Sequence, residues 1–273
     1  MNETQVFDWQ GHRGCRGLMP ENTVPAFLHA LEYKEITTLE LDVVVSQDGR
    51  VVVSHEPWMS EEICTSPTGE EVDEKRSILA MRLDEVQAYD CGNKLHPRFP
   101  EQQKMTIRKP TLDQVFAAVE DYCKSNGKVL PHFNIELKYL PEWEQEGFVP
   151  SIQDFTGAVL DLISQVGLDS LVNLQCFHPP MLAYIHEQAP DMVLAYLDEF
   201  PEQGSISAKM DSMGFIPEIY SPYFLHLTAD HVATAHKLGM KVIPWTINET
   251  TDMQQVVALG VDGIITDYPD RIP

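Results

Sequence analysis

Two carboxylates stand where a buried strand should be apolar. Glu40 and Asp42 belong to Glu40-Leu-Asp42-Val-Val-Val-Ser-Gln-Asp48-Gly49-Arg-Val-Val-Val-Ser-His55-Glu56, which reads as two strands of β-branched valine joined at Asp48-Gly49, a strong hairpin signal. Side chains alternate along a strand, so Glu40 and Asp42 point to one face about 7 Å apart. Burying both is costly unless something neutralises them. A hard divalent cation, bound through oxygen, is one solution; exposure at the strand end or pairing with basic residues is the other. His55 closes the second strand. A further pair of charges, Glu136 and Lys138, shares one face of Phe133-Asn-Ile-Glu136-Leu-Lys138. His12-Arg13 lies between Gly11 and Gly14, glycines that would let the backbone approach a ligand.

Elements far apart in sequence must bring these residues together. Strands read at Val6, Thr38, Phe133, Leu171, Val193, Glu218, Lys241 and Gly263. Between them, apolar spacing and glycine stops predict helices over 24–34, 111–125, 152–166, 180–188, 205–213, 228–238 and 250–259. Alternating strands and helices of this number, in 273 residues, predict one α/β domain of the (β/α)8 TIM-barrel class over 1–273. The stretch 56–109 is too long for a structureless loop and reads as a small inserted subdomain, a lid, with helical character only over 77–89. In such barrels the chemistry lies at the carboxyl ends of the strands. His12-Arg13, Glu40, Asp42, Glu136, Lys138 and Trp245 all fall there, so they are expected on a common rim.

Composition narrows the partners. Lys+Arg 19 against Asp+Glu 42 gives a net charge of −23, which opposes binding to nucleic acid or anionic membrane surfaces. A small anionic substrate would then need a local cation. No apolar run reaches the roughly 20 residues that span a bilayer, and residues 1–10 carry no basic, apolar leader. The expectation is a soluble chain without stable membrane insertion, cytoplasmic or, had a signal segment been removed, periplasmic or secreted. The five cysteines are odd in number and scattered, which argues against a disulfide framework or zinc site and for small buried residues. The acidic run Glu61, Glu62, Glu70, Glu71, Asp73 and Glu74 reads as a solvated face. His29, His186, His231 and His236 read as surface or packing residues on helices, and His178 follows a strand.

Taken together, His12-Arg13-Gly14, Pro20-Glu21-Asn22-Thr23, Glu40-Leu-Asp42-Val, Asp48-Gly49 with His55, Asn134-Ile-Glu136-Leu-Lys138, Pro244-Trp245-Thr-Ile-Asn248 and Val261-Asp-Gly-Ile-Ile-Thr-Asp267-Tyr-Pro269 resemble the glycerophosphodiester phosphodiesterases over nearly the whole chain. At position 56 this chain has Glu, where members of that family commonly have Asp. The resemblance implies Glu40, Asp42 and Glu136 as ligands of one divalent cation, Mg2+ or Ca2+, and His12 and His55 as the acid/base pair. It also implies positive charge from Arg13 and Lys138 on the phosphodiester, while Trp245 reads either as a wall of the glycerol pocket or as a core indole. An oxygen-rich ligand set suits hard cations rather than zinc, and imidazole titrates near neutrality, as proton transfer requires.

The implied activity is metal-dependent hydrolysis of glycerophosphodiesters to glycerol 3-phosphate and an alcohol. Two alternatives stand beside it: a phosphodiesterase acting on lysophospholipids or sphingolipids, which should show an exposed apolar rim, and a non-catalytic barrel that binds a phosphorylated polyol.

Overall fold

Eight parallel strands form a nearly closed ring in a computed structural model that describes residues 6–273. They are β1 (Asp8–Gly11), β2 (Ile36–Val45), β3 (His132–Leu137), β4 (Val172–Cys176), β5 (Val193–Asp198), β6 (Ile219–Pro222), β7 (Lys241–Val242) and β8 (Gly263–Thr266). Each pairs with the next from β1 to β7, and β8 returns to pair with β1. The β7–β8 seam has no regular ladder, because β7 runs into Pro244, which has no N–H to give. Backbone bonds from Asp262 N to Val242 O (2.9 Å) and from Ile265 N to Pro244 O (3.0 Å) join it instead.

The helices between the strands are α1 (Val24–Ala30), α2 (Leu112–Asn126), α3 (Ile152–Val166), α4 (Pro179–Gln188), α5 (Ile206–Met213), α6 (Ala229–Lys237) and α7 (Thr250–Ala258). Thr111 stands at the N-cap of α2, where Gln114 Oε1 accepts from its backbone N (3.1 Å) while its own hydroxyl stays unpaired, and Gly127, Gly167 and Gly214 end α2, α3 and α5 in the left-handed conformation. Helix α1 is shorter than expected, stopping at Ala30.

Strand β2 shows how one strand serves both core and site. Leu39, Leu41 and Val43 are fully buried in the main core with Phe27 and Phe116, so alternation turns Glu40 and Asp42 towards the barrel interior. Beyond the ring, Val43–Val45 pair antiparallel with Val51–Val53, as the hairpin signal predicts.

The inserted stretch has structure of its own. Trp58–Met59 pair with Arg76–Ser77, and Met59, Ile63, Val72, Ile78, Val86 and Tyr89 form a second core on Val44 and Val52. The helix expected over 77–89 is broken into a 3-10 turn, Ile78–Ala80, and a short helix, Leu83–Val86, because Met81 between them is extended. The cysteine expectation also needs correction: Cys64 and Cys91 are disulfide-bonded, while Cys15, Cys123 and Cys176 are free and buried. The bonded pair flanks an antiparallel bridge between Thr65 and Asp90, a pairing that spacing alone does not reveal.

Candidate active site

Strand register assembles the carboxylates. Asp42 lies opposite Glu136 in the β2–β3 ladder, with Glu40 level with Asn134. Ligand oxygens of Glu40, Asp42 and Glu136 lie within 4.8 Å of one another, and the three residues are only 2%, 1% and 7% exposed. Most of their oxygens are held in place. Gln175 Nε2 donates to Glu40 Oε1 (2.8 Å) and Arg13 N to Glu40 Oε2 (2.9 Å). Asn22 Nδ2 donates to Asp42 Oδ2 (2.8 Å), and Lys138 Nζ to Glu136 Oε1 (2.7 Å). Asp42 Oδ1 is buried with no hydrogen-bond partner.

Carboxylates this close resist ionising together. Burial, reinforced by Asp42 and Glu136, pushes Glu40 well above its usual range. Burial also lifts Glu136 to about 7, with Lys138 pulling the other way and Asp42 adding to the rise. Burial opposes ionisation of Asp42 too, but Arg13, His55 and Lys138 hold it low. An orphaned buried oxygen and an all-oxygen donor set fit a hard divalent cation, so Glu40, Asp42 and Glu136 could hold a metal ion.

Each histidine of the site has a carboxylate on Nδ1. His12 Nδ1 lies 2.6 Å from Asp267 Oδ1, which leaves Nε2 turned inward, 3.8 Å from Glu40 Oε2. Asp267 is itself fixed by Arg16 Nε (2.9 Å) and Asn248 Nδ2 (2.8 Å). Burial lowers the His12 pKa to about 4 despite Asp267, so its ring is neutral at pH 7. His55 Nδ1 lies 2.7 Å from Glu56 Oε1. Burial and the charges of Arg13 and Lys138 lower His55 as well. Glu56, which burial would raise, is held down at about 2, chiefly by His55.

Arg13 adopts a positive φ of 51° and reaches Glu21 Oε1 at 2.8 Å and Asp42 Oδ2 at 3.2 Å. Gly11 and Gly14 serve a different purpose from the one expected. A Cβ on Gly14 would sit 2.6 Å from the Ala26 backbone, and one on Gly11 2.2 Å from Gly14 O. They let the His12-Arg13 turn fold tightly against α1 rather than open the backbone to a ligand. Trp245 stands in an aromatic wall with Phe177 (ring centroids 5.5 Å apart) and Tyr223 (5.3 Å), and Lys138 Nζ is 5.9 Å from the Phe177 centroid. A cavity of about 660 Å³ opens at the opposite, amino-terminal end of the ring, beside Thr38, His132 and Asn173. The buried charges converge at the carboxyl end instead, and they mark the site better than volume does.

The sequence pattern of the Glycerophosphoryl diester phosphodiesterase family matches residues 12–271. The chain belongs to that family. It is 28% identical to a glycerophosphodiester phosphodiesterase of Caldanaerobacter subterraneus over 96% of this chain and 94% of the relative. A crystal structure from Silicibacter pomeroyi, of a protein assigned to the same family, superposes with a TM-score of 0.86 at 31% identity, covering 98% of this chain and 92% of that one. The phosphodiesterase of Oleispira antarctica, solved with its product sn-glycerol-3-phosphate, has the same fold (TM-score 0.75, 20% identity, 98% and 95% covered).

Family membership does not by itself say what each residue does, and several neighbours of the site had no assigned role in the sequence. Asn22 grips Asp42, accepting from its backbone N (3.2 Å) as well as donating to its side chain, while Thr23 caps α1. Asp267 and Glu56 gave one usable signal: each is an acid directly after a barrel strand or a site histidine. His96, in the insertion, is buried with Nε2 3.2 Å from Glu62. His29 pairs with Glu32, His186 stacks on Phe215, His231 caps α6 and His236 meets Asp262, all as surface or packing groups. No helix among the described residues is long and apolar enough to cross a membrane.

Proposed function

We propose that this chain is a metal-dependent phosphodiesterase that hydrolyses glycerophosphodiesters to glycerol 3-phosphate and an alcohol. The observation that carries the reading is the placing of His12: oriented by Asp267 on one nitrogen, it turns the other towards the carboxylate cluster. Glu40, Asp42 and Glu136 hold the cation, Mg2+ or Ca2+. Once bound, the ion supplies positive charge against the phosphoryl oxygens. Arg13 and Lys138 add charge on either side of Asp42. His12, neutral through burial, takes the proton of the attacking hydroxyl at Nε2. His55, in its protonated form with Glu56 on Nδ1, gives its Nε2 proton to the leaving alkoxide. Trp245, with Phe177 and Tyr223, lines the glycerol pocket, and 56–109 acts as a lid over the carboxyl end of the ring.

The test is release of glycerol 3-phosphate from glycerophosphocholine and glycerophosphoethanolamine, followed by phosphorus NMR, in EDTA and after Mg2+ or Ca2+ is restored. Metal-dependent turnover is expected. Tight binding of glycerol 3-phosphate without turnover would make the chain a binding barrel. One observation favours a second reading, lysophospholipid hydrolysis: Leu140, Phe200 and Leu225, on loops after β3, β5 and β6, are 39%, 49% and 62% exposed, at the end where the site lies. Of the apolar residues at the start of the insertion, Met59 and Ile63 are buried, while Trp58, half-buried, packs against Trp143 and Phe148. A palmitoyl lysophosphatidylcholine cleaved faster than glycerophosphocholine would decide for the second reading.

A further inference from the structure

Arg13, Arg16 and Lys138 each form ion pairs: Arg13 with Glu21 and Asp42, Arg16 with Asp267, Lys138 with Glu136. Each has a carboxylate paired directly with it. Lys109, the last residue of the insertion, differs. It is 4% exposed, yet its ammonium makes no hydrogen bond or ion pair among the described residues. Nor is that nitrogen sealed off among the buried atoms that lack partners.

The backbone fixes where Lys109 stands. Pro110 O accepts from Val53 N (2.8 Å) and Thr111 bridges Val52, so the antiparallel register places Lys109 beside Ser54, one residue from His55. Gln87 Nε2 pins its carbonyl (3.1 Å). The charges that act on the ammonium are those of Glu56, Glu21, Asp42 and Arg13, all groups of the site. Glu56, Glu21 and Asp42 attract it and Arg13 repels it. A buried ammonium that lacks a hydrogen-bond partner is stabilised by an anionic acceptor placed beside it.

We infer that Lys109 is a further substrate-binding residue, a cation contributed by the insertion that takes a non-bridging oxygen of the phosphodiester, and of a phosphate or phosphomonoester bound in its place. This deepens the phosphodiesterase reading and rests on it for the identity of the substrate, but not for the binding of phosphate. It also gives the insertion a chemical part in the site, because the residue that ends it meets the substrate.

The experiment compares wild type, Lys109→Met and Lys109→Arg. Two quantities are read in the presence of Mg2+: the steady-state constants on glycerophosphocholine, and the dissociation constant of inorganic phosphate by calorimetry. Without its buried, charge-assisted hydrogen bond to the anion, Lys109→Met should bind phosphate about tenfold more weakly, or worse. KM should rise by more than kcat falls, and Lys109→Arg should recover part of the phosphate affinity. Unchanged phosphate affinity in Lys109→Met, with or without a lower melting temperature, overturns the inference and leaves Lys109 a countercharge to Glu56 and Glu21. A wild type that hydrolyses no glycerophosphodiester, while Lys109→Met still loses phosphate affinity, overturns the phosphodiesterase reading and upholds the assignment of Lys109.

Discussion

Asp267→Asn separates the orientation of His12 from the stability of its surroundings. The Asp267 carboxylate accepts from His12 Nδ1 at 2.6 Å and from Arg16 at 2.9 and 3.1 Å. An amide can donate to Nδ1 instead, which would put the imidazole proton on Nε2 and remove the lone pair needed by a base. A buried base held in the wrong tautomer loses roughly 10³-fold in rate, about 4 kcal/mol of barrier. Arg16 would keep Glu21, at 3.9 Å, as its carboxylate partner and at most one hydrogen bond to the amide oxygen, and losing its close ion pair should cost about 3 kcal/mol of stability, a fall of about 5 °C in melting temperature. The two effects are measured apart, by glycerophosphocholine turnover well below the melting temperature and by calorimetric unfolding. Because Asp267 raises the His12 pKa, its loss moves the acid limb of the pH–rate profile down from about 4, which a purely structural lesion would not do. In a His12→Ala background the same substitution should cost less than about threefold further, since the group it orients is gone. A full, multiplicative loss in that background would refute the orienting role.

Three other outcomes are expected. Asp42→Asn should weaken Mg2+ or Ca2+ binding, read by calorimetry, by roughly 10²-fold; wild-type affinity should also climb as pH rises through about 7, because Glu136 gives up its proton there and only the carboxylate ligates. His55→Ala should slow a substrate with a basic alkoxide leaving group by about 10² to 10⁴ but a nitrophenyl ester far less, while His12→Ala should slow both alike; the reverse pattern would exchange their roles. Cys64→Ser should destabilise the insertion by about 3.5 kcal/mol on chain-entropy grounds, given the 27-residue separation; hydrogen exchange that quickens in the insertion and leaves β3 to β6 protected would check it.

The ring was legible because its strands and helices are written locally, in valine runs, helix spacing and glycine stops. Glu40, Asp42 and Glu136 were legible because charge on a buried strand is expensive and alternation says which way it points. Other features depend on long-range meetings that no local pattern encodes. The partner of His12 lies 255 residues away, Asn22 finds Asp42 only through a turn with positive φ at both Arg13 and Asn22, and the Cys64–Cys91 bond follows a bridge inside the insertion. Lys109 looked like one more polar residue of a loop, and only its burial without a partner sets it apart.

The β1–β8 ladder has a consequence for the order of folding. The three carboxylates come from adjoining strands and the short turn of the hairpin holds β2 in place, so this cluster closes comparatively small loops. His12 meets Asp267 only when Asp8–Gly11 pair with Gly263–Thr266, which closes nearly the whole chain into a ring. Long-range closure carries the larger entropic cost and tends to come late. During refolding, metal binding should therefore recover before turnover. On the proposed mechanism, His12 acquires its orientation at the moment the two ends of the chain find each other, and a partly folded barrel should capture an ion while remaining catalytically silent.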